Sequence, residues 1–415
     1  MKTRASLPIL IATVLCHATT GISADPGVYQ TTLSPAGSRA VVRRPAPLIF
    51  GRGRLESVPA YDPKNAETPF QIDLRSFDLS RLNVGDRLAD LLRADFDSKT
   101  RWPAKLPKGF DPARFMELGR DPGLQARKLH ARGVTGRGVG IAIIDQNLLV
   151  DHVEYRDRLR LYEEIHAWKG PAEMHGSAVA SIAVGKTVGV APESDLYYIA
   201  ATSGMPAGNQ WDYDFTWLAK AIDRLLEINA SLPKKNRIRV ISISVGWTPQ
   251  KKGYQEIMAA VERAKKAGVF VISTALEQTH SLEFQGLGRE PPADPNSFAS
   301  YRPGSFWAPE FWDGTQRFAP GRRLLVPMDS RCLASPTGPD DYAFYRQGGE
   351  SWSVPWIAGL YALACQVKPD ITPEDFWAAA LRTGRTIRIH NDGTKVDFGT
   401  IANPVALIES LQRAQ

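Results

Sequence analysis

The sequence is poor in cysteine, in long apolar runs and in concentrated charge. Only three cysteines occur in 415 residues, which excludes a disulfide scaffold, and a chain of this length can build its own core. Cys16 belongs to the first residues, leaving Cys332 and Cys365. A bridge between them is permitted in an exported protein, but Cys365 lies in an apolar helical stretch, which favours a buried free thiol. No apolar segment is long and unbroken enough to span a bilayer. The net charge is a mild +7 with basic residues scattered. There is no dense Lys/Arg block interleaved with aromatics, so nucleic acid is not an expected partner. The glycines of Gly136-Arg-Gly138-Val-Gly140 precede a strand instead of following one, so they are no dinucleotide fingerprint. A P-loop and an H-E-x-x-H pair are both missing, and His152, His166, His280 and His390 have no ligand spacing with one another. No metal ligand set is assigned.

What is present suits an ordinary globular protein, with 43% hydrophobic and 23% charged residues. The start reads as an export signal. Lys2 and Arg4 precede the apolar run Leu7 to Leu15, and small residues end at Ile22-Ser-Ala24. We expect residues 1–24 to be a signal peptide and the chain to be exported, to a periplasm or outside the cell. Residues 25–123 read as an N-terminal extension or propeptide-like region. Its first part, to about residue 70, has the polar, Pro/Gly-containing texture of a flexible leader. Leu82 to Leu92 is a short amphipathic segment, and Asp111 before Pro112 is a helix start.

From residue 124 the pattern becomes β/α. Leu124 to Arg132 reads as a helix, and Val139 to Ile144 is an apolar run suited to a buried strand. A helix from His175 to Val184 and a strand from Leu196 to Ala200 follow. Next come a helix from Thr216 to Ile228, a strand from Arg239 to Val245, a helix from Tyr254 to Ala267 and a strand from Val269 to Ser273. Two more helices run from Ser351 to Val367 and, capped by Thr372, to Arg382. This alternation predicts an α/β fold whose parallel sheet is covered on both faces. The stretch from Gln285 to Gln347, rich in Gly, Pro and aromatics, reads as long surface loops with a strand only at Arg323 to Val326.

Three segments carry chemistry. Asp145 closes the strand Ile141-Ala-Ile-Ile-Asp145, at the end where parallel sheets place ligands. His175 opens the helix His175-Gly-Ser-Ala-Val-Ala-Ser-Ile182. Ser351 opens the apolar helix after Gly348 and Gly349, where free N–H groups and the positive dipole end can serve an N-cap or an oxyanion. The order Asp, His, Ser is one of those known for a catalytic triad. A G-x-S-x-G elbow is not present, and an esterase reading with Ser351, Asp370 and His390 leaves too little chain after Ser351.

These segments resemble the subtilisin-like serine peptidases (subtilases), which carry DTG or DSG, HGTHVAGI and GTSMASPHVAG at the three places. Here Asp145-Gln-Asn147, the His175 segment and Gly349-Glu-Ser-Trp-Ser-Val-Pro-Trp-Ile-Ala-Gly359 stand there. Gly189-Val-Ala-Pro-Glu-Ser-Asp-Leu196 is similar to the family's GVAPEADL turn, and Ser242-Ile-Ser-Val-Gly246 to its groove strand. The likeness runs from about Leu124 to Arg382. It implies a three-layer subtilisin-like domain, residues 124–415, with a mainly parallel central sheet. It also implies a polypeptide substrate lying along Ser242, Ser244 and Gly246, and the roles of nucleophile, base and orienting acid for Ser351, His175 and Asp145. No cofactor is implied; structural calcium is common in the family, but no ligands are identified.

One departure bears on activity. Gly268-Val-Phe-Val-Ile-Ser-Thr-Ala-Leu-Glu277 puts Glu277 where the family has an oxyanion-binding asparagine. Loss of such a donor costs roughly 10²- to 10³-fold. Three outcomes stand open: a protonated Glu277 that donates, Gln278 serving after a one-residue shift, or an inactive site. The last makes the chain a pseudopeptidase that binds a peptide or partner without cutting. Glu350, in place of the family threonine, adds a second carboxylate beside Ser351.

Overall fold

The computed structural model describes residues 27–29, 40–65, 68, 70–207, 210–315, 321–391 and 393–413. The expected signal peptide, residues 1–24, lies outside them. A seven-stranded sheet forms the centre, in the order Gly27–Tyr29, Leu159–Ala167, Asp195–Ala200, Gly140–Asp145, Ile238–Ile243, Phe270–Ser273, with Ala40–Val41 also paired to Leu159–Ala167. The pairings are parallel except that of Gly27–Tyr29.

The strands form a sheet because their side chains alternate between two buried layers. Ile141 and Ile143 face one core with Val240 and Ile272. Ala142 and Ile144 face the other with Ile199, Ile241, Ile243 and Val271. The first core is closed by the helices Met174–Val184 and Glu350–Val367. The second is closed by Thr216–Ser231 and Tyr254–Lys266. The result is the three-layer, helix-flanked, mainly parallel architecture expected from the sequence. Asp111 and Thr372 cap their helices as expected, accepting from Arg114 N at 2.9 Å and Asp375 N at 3.1 Å. Cys332 and Cys365 are both free and buried, and burial pushes their thiols up to about 12 and about 11.

Three parts of the fold depart from expectation. The stretch read as a flexible leader contributes Gly27–Tyr29 and Ala40–Val41 to the central sheet, and its Arg43 pairs with Glu164. The stretch from Gln285 to Gln347 is not a set of loops. Glu283–Arg289 and Arg323–Pro327 pair in parallel within a five-stranded sheet completed by Tyr301–Pro303, Arg385–Asn391 and Thr394–Ile401. A three-stranded sheet joins Arg331–Ala334, Tyr342–Tyr345 and Phe96–Asp97. Two of the glycines that suggested loops, Gly286 and Gly288, are packing devices. A Cβ on Gly286 would stand 2.2 Å from Met328 Sδ, and one on Gly288 2.6 Å from Pro303 O.

The strand Leu159–Ala167 was also hidden, because it carries Arg160, Glu163, Glu164 and His166. Glu163 and Glu164 are nonetheless fully buried. Arg224 holds the first at 2.9 Å and Arg43 the second at 2.7 Å, both partners distant in sequence.

Candidate active site

The parallel sheet delivers Asp145 and Ser244 to the same carboxyl edge. Asp145 ends its strand in register with Ala200, and Ser244 follows the neighbouring strand, which ends at Ile243. Asp145 is 8% exposed, and its Oδ1 accepts from Gln146 N at 2.8 Å. His175, in the first turn of its helix, places Nδ1 2.8 Å from Asp145 Oδ1 and 3.0 Å from Oδ2. An ionised carboxylate only accepts, so Nδ1 carries the proton and a neutral ring leaves Nε2 free as a base. Burial pushes the imidazole down, but the charge and hydrogen bond of Asp145 outweigh it and hold His175 above its ordinary value.

This approach depends on Gly176. A Cβ there would stand 2.4 Å from the Tyr198 hydroxyl and 2.6 Å from Gln146 O, so a side chain would force the helix start away from the Asp145 turn. A second tie crosses the same gap. Glu173 N donates to Asn147 O at 2.9 Å, and Asn147 N donates to Glu173 Oε2 at 3.2 Å.

Ser351 lies in the first turn of the buried helix Glu350–Val367, after Gly349 at φ +121°. It exchanges hydrogen bonds with the segment that follows the strand Ile238–Ile243. Ser351 Oγ donates to Ser244 O at 3.2 Å, and Ser244 Oγ donates to Ser351 O at 3.0 Å. Among the described residues no hydrogen bond joins Ser351 to His175; next to Ser351, the Trp352 ring lies 5.3 Å from the imidazole, tilted by 37°. The structure thus brings Asp145 to His175 and Ser351 to Ser244. A Ser351 hydroxyl engaged with Ser244 must turn to reach His175, and loose catalytic contacts of this sort are common before substrate binds.

The remaining candidates divide. Gly246 is buried with Thr274 against it: a Cβ would meet Thr274 Oγ1 at 2.7 Å, which keeps the groove backbone close to the end of the Phe270–Ser273 strand. Ser242 is corrected. It sits inside the sheet between Ile143 and Ile272, 1% exposed, and cannot line a groove. Glu277 and Gln278 are both exposed on the short helix Leu276–His280.

Glu350 is partly buried, and desolvation pushes its carboxyl up to about 7 against the opposing charge of Arg323. Glu173, Trp352 and Thr274 were not selected from the sequence. Their adjacency to His175, Ser351 and the fourth strand's end was the available signal, but their contacts depend on tertiary packing. Among the described residues no group of three or more His, Cys, Asp or Glu side chains gathers as a metal site, and no helix is long and apolar enough to cross a membrane.

The three-layer α/β fold with Asp145 and His175 at its carboxyl edge resembles that of subtilisin-like proteins. Residues 136–301 match the profile of the subtilase family, a span that holds Asp145 and His175 and ends before Ser351. Subtilisin-like protease 2 of Arthroderma otae is 30% identical over 145 residues, covering 34% of this chain and 31% of the relative. Subtilisin-like protease 2 of Trichophyton rubrum is 24% identical over 250 residues, covering 59% and 54%. The chain thus spans about half, or less, of the length of these curated relatives. Among solved structures, the prenylagaramide maturation protease PagA superposes at a TM-score of 0.46 and 17% identity, covering 69% of this chain and 98% of that one. The serine protease MycP1, described as an essential component of the type VII (ESX-1) secretion system, does so at 0.46 and 19%, covering 70% and 89%. The family profile and the curated relatives thus place the likeness to subtilisin-like proteases in part of the chain, residues 136–301 for the profile.

Proposed function

We propose that the chain is an exported serine endopeptidase working through Asp145, His175 and Ser351. The observation that carries this reading is the Asp145–His175 hydrogen bond at the carboxyl edge of the sheet, beside a serine in the first turn of a helix. In this mechanism Ser351 Oγ attacks the scissile carbonyl while His175 Nε2 takes its proton. The imidazolium, stabilised by Asp145, then protonates the leaving amine, and water hydrolyses the acyl-enzyme by the same route. The Ser351 backbone N–H, at a helix start whose N–H groups lack intrahelical partners, supplies one oxyanion donor. The substrate is an extended polypeptide lying beside Ser244 and Gly246. Residues 25–123 act as an extension on a peptidase domain formed by residues 124–415.

A second reading is favoured by two specific observations. Glu277 takes the sequence place where the subtilases carry their oxyanion asparagine, and the Ser351 hydroxyl is turned to Ser244 O. In that reading the site binds a peptide without cleaving it. Casein and peptide-ester turnover by wild type, Ser351→Ala and Glu277→Asn separates the two. Turnover lost in Ser351→Ala supports the peptidase. Turnover appearing only in Glu277→Asn supports the binding module. Turnover untouched by Ser351→Ala overturns both.

A further inference from the structure

Glu173 is a carboxyl that the triad mechanism does not use, yet the fold builds it into the same edge. It occupies the cap position of the His175 helix, but its side chain does not cap that helix. The carboxylate instead reaches across to the Asp145 turn, where Oε2 accepts from Asn147 N at 3.2 Å. The adjacent backbone bond from Glu173 N to Asn147 O, at 2.9 Å, makes a two-point clamp between the two triad segments. Asn147 is itself fixed, its Nδ2 donating to Trp168 O at 2.8 Å and Pro171 O at 3.2 Å.

We propose that Glu173 is a positioning residue for His175, holding the imidazole at Asp145 and supplying a second negative charge that sets the pH at which His175 becomes a base. This rests on the reading of His175 as the general base. The groups that face Glu173 are few. Asp145 and His175 lie on one side, Tyr198 comes from the neighbouring strand with its hydroxyl on Gln146 O, and Arg43 lies toward the N-terminal segment. From the Ser351 helix the side chain against His175 is the uncharged Trp352.

Burial is the main influence on Glu173 and pushes it up to about 7. The negative charge of Asp145 adds to that, while the Asn147 N–H, His175 and Arg43 oppose it. Once ionised, Glu173 adds a negative charge beside the Asp145–His175 pair and favours the imidazolium.

Glu173→Gln tests this, because the amide oxygen can still accept from Asn147 N while the charge is gone. The full chain, labelled at histidine, is titrated by NMR as wild type, Glu173→Gln and Glu173→Asp. In parallel, kcat/KM is measured against pH on a peptide ester. The His175 midpoint in Glu173→Gln should fall by about half a pH unit or more, with the acid limb of kcat/KM moving the same way. Glu173→Asp, which keeps the charge, should stay closer to wild type. A His175 midpoint in Glu173→Gln equal to that of wild type overturns the proposal. So does an Asp variant that shifts as far as the Gln variant, since that marks a role in shape alone. The two readings fail separately. A wild type without turnover but with a shifting midpoint overturns the peptidase and supports the coupling. Ser351-dependent turnover with superimposable profiles does the reverse.

Discussion

Ser351 and Ser244 exchange hydrogen bonds in both directions, hydroxyl to carbonyl, at 3.2 and 3.0 Å. The bonded pair ties the start of the buried helix to the residue just beyond the end of a central strand. Replacing Ser244 by Ala removes the donor to Ser351 O and leaves that carbonyl without it. The expected outcome is a fall in kcat/KM of roughly 10-fold, equivalent to about 1.4 kcal/mol of transition-state stabilisation. Steady-state kinetics on a peptide ester check this; unchanged constants would show that the pair does not steer Ser351.

Asp145→Asn should preserve the shape of the site and reverse its hydrogen-bond logic. The amide can present N–H to His175 Nδ1, which puts the proton on Nε2, the atom needed as base. A fall in kcat of about 10⁴-fold is expected by analogy with other triads. His175 should also titrate lower, because the chief influence raising it is gone. Full activity in this variant would remove Asp145 from the mechanism.

Gly176→Ala should separate His175 from Asp145 without touching either. The added methyl would stand 2.4 Å from the Tyr198 hydroxyl and 2.6 Å from Gln146 O, distances that no packed Cβ tolerates. Overpacking of this kind costs about 1–3 kcal/mol. A lowered melting temperature should accompany loss of turnover, and the double variant Gly176→Ala/Tyr198→Phe should recover part of the stability. Absence of any such recovery would locate the strain at Gln146 instead.

Arg43→Ala should destabilise the chain well beyond an ordinary surface change. Arg43 pairs with fully buried Glu164 at 2.7 Å and also donates to Gly170 O at 2.8 Å and Trp168 O at 3.1 Å. Its removal strands a buried carboxylate, a loss of about 3–5 kcal/mol. Denaturant unfolding measures it. Adding Glu164→Gln to Arg43→Ala should restore much of the loss, whereas an additive further loss would show that the arginine acts through its carbonyl contacts alone.

The contribution of Glu173 and Glu350 to stability should decline as pH rises from about 4.5 to about 7. Glu173 and Glu350 are both held at about 7 in the folded chain against an ordinary 4.5, so the native state binds their protons more tightly than the unfolded one. The stabilisation is full below the unfolded value and is lost as pH passes through the folded one. His175, raised above its ordinary 6.5, contributes with the same sign. Glu350→Gln should flatten the fall in melting temperature across this window by a few degrees, on the order of 1 kcal/mol. An unchanged slope would mean that Glu350 is solvated in the folded state.

The legible parts of this protein were those written in local periodicity. The strands ending at Asp145 and Ser273 and the helix beginning beside Ser351 were readable because their burial is continuous and their ends carry Gly, Pro or polar residues. Leu159–Ala167 was not readable, because its carboxylates are neutralised by Arg43 and Arg224, whose proximity no local window contains. The strand Glu283–Arg289 was obscured by Gly286 and Gly288, which serve close packing instead of turns. Ser242 and Ser244 look alike in sequence, yet one lies inside the sheet and the other beyond its edge.

The sequence by itself determined the alternation of elements, the chain order Asp145, His175, Ser351 and the presence of a carboxylate at position 277. Those properties follow from residue type and spacing. The tertiary structure alone decided that Asp145 meets His175, that Ser351 turns to Ser244, that Glu277 faces solvent, and that Glu173 is clamped across the Asp145 turn. Each of those is set by how one strand edge and two helix starts approach one another, and a desolvated carboxyl acquires its altered proton affinity only when that approach closes it off from water.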